Sequence, residues 1–443
     1  MLRRKIDNEL LKWKQNHNKT ALLITGARQV GKTASIRQFG KNHYSNFIEI
    51  NFITDTNANK IFNDSLRADD IILNLSTFVK KALIPGKTLI FLDEIQECPN
   101  ARTAIKFLVE DGRFDYIESG SLLGVSYKEI PSLPVGYEEI QQMYPMDFEE
   151  FLWANNIQED TINYLKECFM NERYISDIIH EEIKKLFQRY MIIGGMPAVV
   201  AKFVETKDIG QVINIQKRIM ELYRQDITKY SDSEKMKIRQ IFDHIPAELN
   251  KNNKRFTMSD INKNAKYHRY ESGFMWLTDA GVSLPCYNIC QPVLPFELNT
   301  KYNLFKLFLC DTGLLCSQSL GNIQFSILNG DTTVNMGSIL ENTIAQLMVS
   351  NSFKLYYYNS KKIGEIDFII QKGNYILPVE CKSGKDYSTH KALENLMSVK
   401  EYNIEEGIVL CSGNVKRDKR ILYLPWYMVS FITQPSIESY IVD

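Results

Sequence analysis

Long apolar runs are missing from this sequence. The most hydrophobic stretch of its 443 residues, Met191 to Val204, is interrupted by Gly194, Gly195 and Pro197. It falls short of the ~20 consecutive apolar residues that a membrane-spanning helix needs. The start, Met1-Leu2-Arg3-Arg4-Lys5, is basic, but mixed polar and apolar residues follow, which predicts no secretory signal peptide. An excess of either charge is missing too: 53 Lys and Arg balance 53 Asp and Glu. Bulk charge therefore points to no nucleic-acid partner, and only local patches can supply one. Of the eight cysteines only Cys286 and Cys290 stand close together, with no second Cys or His pair at ligand spacing. That argues against zinc and, in a chain without a secretion signal, for reduced thiols. A cytoplasmic protein with no membrane partner is expected. At 44% hydrophobic and 24% charged residues the composition is that of a folded chain, and the length allows roughly two to four domains.

What is present begins with Leu22-Leu23-Ile24-Thr25, a short apolar run that predicts a buried strand. It runs into Gly26-Ala27-Arg28-Gln29-Val30-Gly31-Lys32-Thr33 and then Ala34 to Phe39, which predicts a helix. Strand, glycine loop and helix in that order make a phosphate cradle. The glycines let the backbone curl so that its N–H groups face phosphate oxygens, and the helix amino terminus adds partial positive charge. Lys32 is placed to reach the β- and γ-phosphates, and the Thr33 hydroxyl to ligate Mg²⁺. A second motif follows, Leu89-Ile90-Phe91-Leu92-Asp93-Glu94. Its apolar residues predict a core strand, with Asp93 at the carboxyl end holding the Mg²⁺ shell and Glu94 polarising water as a general base. A third strand, Phe114 to Ser121, is expected in the same sheet between the two motif strands, with Ser119 or Ser121 at its tip sensing the γ-phosphate. Asn46 to Phe52 supplies another strand, and helices over 61–81 and 101–110 complete a parallel α/β sheet with its ligand at the carboxyl ends of the strands. ATP with Mg²⁺ is the expected ligand. The adjacent acids Asp93 and Glu94 favour hydrolysis over a P-loop kinase.

From about Pro145 onward the strand signals fade. Helices are expected over 147–153, 178–190 and 199–223, broken at Gly194-Gly195-Met196-Pro197, as in a helical lid. Arg189 and Arg224 on this array are candidates for the cation that stabilises γ-phosphate charge. Further helices around 237–242, 257–263 and 270–280, then apolar strands around 282–290, describe a winged helix-turn-helix. Lys254, Arg255, Lys263, Lys266, His268 and Arg269 give it a basic tint suited to phosphate contacts, although such a module can equally bind only protein. The last part carries a second set of acids: Glu341 on a helix over 337–347, Asp367 within Ile363 to Ile370, and Glu380 with Lys382 on one face of Ile376 to Ser383. Asp followed by Glu-x-Lys on the next strand is the pattern of metal-dependent nucleases, in which carboxylates hold Mg²⁺ and the lysine positions water. Cleavage itself is left open.

These motifs together resemble a family of bacterial and archaeal AAA-type ATPases that end in a domain of unknown function. The likeness runs over nearly the whole length. It is carried by Gly26 to Thr33, Leu92-Asp93-Glu94-Ile95-Gln96, Ser119-Gly120-Ser121, Tyr144-Pro145-Met146-Asp147-Phe148, Gly194-Gly195-Met196-Pro197, Asp226-Ile227, Lys306 to Leu314, Glu341-Asn342, Ile366-Asp367-Phe368 and Val379-Glu380-Cys381-Lys382. The resemblance implies a P-loop ATPase core over 1–155, a helical lid over 156–230, a winged helix over 231–300 and a restriction-endonuclease-like α/β domain over 301–443. It implies ATP binding at Gly26, Gly31, Lys32 and Thr33, and names no substrate. DNA and a protein partner are both compatible with it, and so is an oligomer. Many relatives carry Gly-Arg ahead of the Pro-x-x-Phe motif, where this chain has Gly136-Tyr137. No arginine finger can be carried over at that point.

Overall fold

A computed structural model describes residues 2–16, 19–120, 134–227, 232–263, 265–320, 324, 336–384 and 386–435. The chain divides into two compact units, Met1–Pro145 with Asp279–Gly281, and Met146–Thr278 with Val282–Asp443.

The first unit is a five-stranded sheet built from β1 (Ala21–Thr25), β2 (Asn46–Asn51), β3 (Thr88–Asp93), β4 (Asp115–Ser119) and β5 (Glu138–Gln142). Their order is β2-β3-β4-β1-β5 and every pairing is parallel. Both motif strands are buried along their whole length, because a parallel sheet covered by helices on both faces hides successive side chains alike. The edge strand β2 alternates instead, burying Ile48 and Ile50. Helices Lys32–His43, Ala68–Val79 and Pro99–Asp111 flank the sheet. The single helix expected over 61–81 is two: Lys60–Asn63, then Ala68–Val79. Residues 64–67 separate them, with Ser65 Oγ donating to Asp70 Oδ2 at 2.7 Å. Short polar side chains of this kind compete with helix hydrogen bonding.

The second unit opens with helices Phe148–Ala154, Glu159–Met170, Asp177–Ile193, Pro197–Thr206 and Ile209–Ile227. Asp147 and Glu150 form a reciprocal capping box on the first. The helix expected over 199–223 is broken at Lys207, where φ is 54°. Asp208 then accepts the Gly210 and Gln211 N–H groups at 2.8 and 3.2 Å, which starts a new helix. The expected break at 194–197 is present, with Pro197 opening the next helix. Helices Asp232–Leu249, Met258–Ile261 and Tyr267–Asp279 lead into an antiparallel hairpin of β6 (Ser283–Ile289) and β7 (Thr300–Leu309).

This hairpin is not a free wing. The other edge of β6 pairs in parallel with β8 (Leu355–Ser360), and the sheet continues through β9 (Gly364–Lys372), β10 (Tyr375–Cys381), β11 (Gly407–Cys411), β12 (Lys416–Asp418) and β13 (Ile421–Pro425). The result is one mixed eight-stranded sheet in the order β12-β13-β11-β10-β9-β8-β6-β7. Position 300/301 lies inside this hairpin, and the first compact unit runs to Pro145 and includes Asp279–Gly281. The burial of β6 explains the first point: Ser283, Leu284, Cys286, Asn288 and Ile289 are all buried, too many for a ribbon with one solvated face. Among the described residues no helix is long and apolar enough to cross a membrane.

Candidate functional site

The glycine loop links β1 to helix Lys32–His43. Gly26 has φ 142°, and a Cβ there would lie 2.1 Å from the Met143 carbonyl oxygen, so the loop can pass this point only as glycine. Gly31 is left-handed, φ 100°, at the helix start. Lys32 Nζ folds back onto the Gly26 and Ala27 carbonyls at 2.7 and 3.0 Å. Burial pushes its ammonium down to about 8, against the pull of Glu94 and Asp93. Arg4, which no local pattern marks out, braces the loop. Its guanidinium donates to the Val30 carbonyl at 2.7 Å and to that of Tyr144 at 2.8 Å.

The order of the strands brings the rest of the site together. β3 lies between β2 and β4, and the register sets Asp93 opposite Asn51 on one side and Ser119 on the other. Asp93 is 3% exposed, and its carboxylate accepts from Asn51 Nδ2 at 2.9 Å, from Ser119 Oγ, and from its neighbour's N–H, that of Glu94, at 3.2 Å. Thr33 Oγ1 stands 3.3 Å from both of its oxygens. Burial raises the Asp93 carboxyl, opposed by the Ser119 hydrogen bond. Glu94 is left-handed, φ 56°, and its Oε2 accepts from Gln96 Nε2 at 2.5 Å. Ser121, the alternative to Ser119, lies outside the described residues. Thr33, Asp93 and Glu94 are hard oxygen donors beside a phosphate-binding loop, a chemistry that fits Mg²⁺ shared with a triphosphate.

In the second unit the carboxy-terminal acids also meet. Helix Gly337–Ser350 carries Glu341, β9 carries Asp367, and β10 ends on Glu380 and Cys381 before Lys382. Asp367 Oδ2 accepts the Cys381 N–H at 2.8 Å, and Lys382 Nζ donates to Glu380 Oε1 at 2.8 Å. Burial, and next the charge of Asp367, raises the carboxyls of both Glu341 and Glu380. Two further lysines join them. Lys254 Nζ donates to Glu341 Oε1, and the fully buried Lys306 sits 2.7 Å from Glu365 Oε1 and 3.9 Å from Glu341 Oε2. A cavity of about 260 Å³ opens here between Lys251, Lys254, Ser338, Glu341, Cys381 and Ser383. The residues do not fit a ready metal site: among those described, no group of three or more His, Cys, Asp or Glu side chains is arranged to hold an ion. Lys306 had a sequence signal, a lysine inside the apolar run Phe305 to Leu309. Lys254 had none beyond its charge.

The two candidate arginines both lie in the second unit. Arg224 is paired with Asp243 at 3.1 Å, and Arg189 is exposed on helix Asp177–Ile193. A buried residue outside every candidate set, Asp311, accepts from the Gly195 N–H at 2.6 Å and the Leu314 N–H at 3.0 Å.

Residues 18–152 match a family described as AAA domain. Residues 184–324 and 336–428 match two domains of unknown function, DUF8612 and DUF4143. No curated protein matches the chain by sequence. Among solved structures it is similar to the Walker-type ATPase PABY2304 of Pyrococcus abyssi, at 12% identity and TM-score 0.41, over 72% of this chain and 96% of that one. It is also similar to the Aeropyrum pernix Orc1 protein in complex with DNA, at 12% identity and TM-score 0.29, over 74% and 91% of the two chains. A RuvB variant of Thermotoga maritima matches at 13% identity and TM-score 0.30, over 64% and 89%.

Proposed function

We propose that this chain, an AAA-type P-loop ATPase whose core precedes two domains of unknown function, uses ATP turnover to act on nucleic acid. In this reading the backbone of Gly26, Ala27, Arg28, Gln29, Val30 and Gly31 cradles the phosphates. Lys32 exchanges its two carbonyl partners for the β- and γ-phosphates. Thr33 and Asp93 hold Mg²⁺, which when bound neutralises phosphate charge. Ser119 and Asn51 keep Asp93 aimed at the loop. Glu94 takes the proton of the attacking water once its carboxylate turns from Gln96. The observation that carries the ATP half is the convergence of Thr33, Asn51 and Ser119 on Asp93.

The nucleic-acid half rests on Arg255, Lys263, Lys266, His268 and Arg269. All five are exposed, and none has an ion pair among the described residues. They flank helix Met258–Ile261 and open helix Tyr267–Asp279. Four arginines and lysines without ion pairs among the described residues, with a histidine between them, suit a phosphate backbone. Fluorescence anisotropy of a labelled DNA duplex against salt tests this. Lys263→Ala with Lys266→Ala should weaken binding and lower the salt slope by about 1 for each phosphate no longer neutralised. Unchanged affinity and slope would exclude this surface as the DNA-binding one.

One observation favours a second reading, an ATP-dependent switch for a protein partner with a non-catalytic carboxy-terminal scaffold. Glu341 is already neutralised by Lys254 and flanked by Lys306. Under that reading, Asp367→Ala combined with Glu380→Ala leaves every activity intact.

A further inference from the structure

Arg4 stands outside every motif, just ahead of helix Ile6–Gln15, yet it is only 6% exposed. Its backbone is fixed by a reciprocal pair: the Arg4 N–H donates to Asp7 Oδ2 at 3.1 Å, and the Asp7 N–H to the Arg4 carbonyl at 3.2 Å. The helix behind it is seated by the buried Ile6, Leu10 and Trp13, with the Trp13 indole N–H donating to the Thr20 carbonyl at 2.9 Å. From this footing one guanidinium nitrogen reaches the Val30 carbonyl inside the phosphate loop, and the other reaches the Tyr144 carbonyl just beyond β5. The neighbouring Met143 lies against Gly26 at the loop's other end, and its N–H donates to the Thr25 carbonyl at 2.8 Å. Both ends of the loop are thus backed by one short segment, with Arg4 as the bridge at the Val30 end.

The Val30 carbonyl is the informative partner. It shares a rigid trans peptide plane with the Gly31 N–H, and in such a plane the two groups point in opposite directions. Gly31, at φ 100°, tolerates either sign of φ, so this plane turns over at little cost unless something holds it. Gly31 also opens helix Lys32–His43, where a backbone N–H and the helix dipole together favour an anion.

We propose that Arg4 is a positioning residue for the phosphate loop: by holding the Val30 carbonyl it keeps the Gly31 N–H turned into the cradle, and so sets ATP affinity without touching the nucleotide. This rests on the reading of Gly26 to Gly31 as the phosphate cradle and deepens it. Lys32 must leave the Gly26 and Ala27 carbonyls for the phosphates, whereas Arg4 keeps its two carbonyls with and without nucleotide. The loss on removing Arg4 therefore falls on phosphate binding and not on the activation of water at Glu94.

The test measures ATP binding and turnover in the full chain, unaltered and as Arg4→Met and Arg4→Lys, with circular dichroism as the folding control. Arg4→Met is expected to raise the Kd for ATP about tenfold, the scale of one hydrogen bond to a charged group, while kcat at saturating ATP stays within about twofold. Arg4→Lys keeps the charge but offers one nitrogen where the guanidinium offers two, so it should recover only part of that loss. Inorganic tripolyphosphate, which has neither base nor sugar, is the second probe, and its inhibition constant should weaken by the same factor as the Kd for ATP. Trp13→Phe, which removes the other hydrogen bond anchoring the same helix and leaves the loop alone, should bind ATP as the unaltered chain does. Unchanged ATP affinity in a folded Arg4→Met overturns the proposal, and so does full recovery in Arg4→Lys, which would make charge alone sufficient. Weaker ATP binding with unchanged tripolyphosphate binding would place Arg4 at the base and overturns it too, as does an equal loss in Trp13→Phe. An unaltered chain that binds neither ATP nor tripolyphosphate overturns the cradle reading itself.

Discussion

Asp93 accepts hydrogen bonds from Asn51, Ser119 and the Glu94 N–H, with Thr33 at 3.3 Å, while the Glu94 carboxylate beside it accepts from Gln96. One carboxylate is held by several donors and the other by fewer among the described residues, which suits the proposed division between holding Mg²⁺ and activating water. Glu94→Gln should therefore still bind ATP and turn it over at least about a hundred-fold more slowly, as loss of a general base predicts; phosphate release and nucleotide binding measured side by side check this. Lys32 gives a pH dependence of definite sign. With its ammonium at about 8 in the nucleotide-free protein, a bound triphosphate must raise it, so above that pH binding takes up a proton. ATP affinity should fall as pH rises from about 8 to 10, approaching tenfold per unit. Calorimetric Kd values across that range test it, and a flat profile contradicts the placement of Lys32 on the phosphates. Lys32, Thr33, Asp93 and Glu94 were legible in the sequence because local spacing defines them. Asn51 was not, because its role depends on the register between β2 and β3, which no local pattern encodes.

At the scale of elements, the Gly194-Gly195-Met196-Pro197 break was legible, since two glycines and a proline cannot continue a helix. Its purpose was hidden. A Cβ on Gly195 would lie 1.9 Å from the Met146 carbonyl oxygen, and its N–H is taken by Asp311, 116 residues along the chain. Asp311 also caps helix Thr312–Ser319. Asp311→Ala leaves two buried N–H groups unsatisfied and should cost about 3 kcal/mol, read as a lowered urea midpoint. A loss within about 0.5 kcal/mol, ordinary for a surface change, would mean that the cap is not structural. The hairpin of β6 and β7 shows the opposite limit. Its first strand was legible from the apolar run around 282–290, but the second, Thr300–Leu309, and the continuation through β8 were not. Cys286 pairs with Leu355, and partners so far apart along the chain leave no periodicity to read.

At the scale of the molecule, zero net charge conceals an uneven distribution. Exposed cations gather between Arg255 and Arg269, while Glu341 and Glu380 are buried beside the half-buried Asp367. The acids were legible as a set because each sits in an apolar strand or helix where a carboxylate is out of place. Lys254, which opposes Glu341, was not, since the two meet across 87 residues. Both compact units enter the central claim, that ATP turnover is coupled to nucleic acid. It is tested most directly by ATP hydrolysis at low salt with and without duplex DNA, in the unaltered chain and in Glu94→Gln. The expected result is a rate that DNA changes several-fold, an effect that fades as salt screens the phosphate contacts, and near-silence from Glu94→Gln in both conditions. A rate indifferent to DNA at every salt concentration would contradict the coupling, and full turnover by Glu94→Gln would contradict the catalytic assignment beneath it.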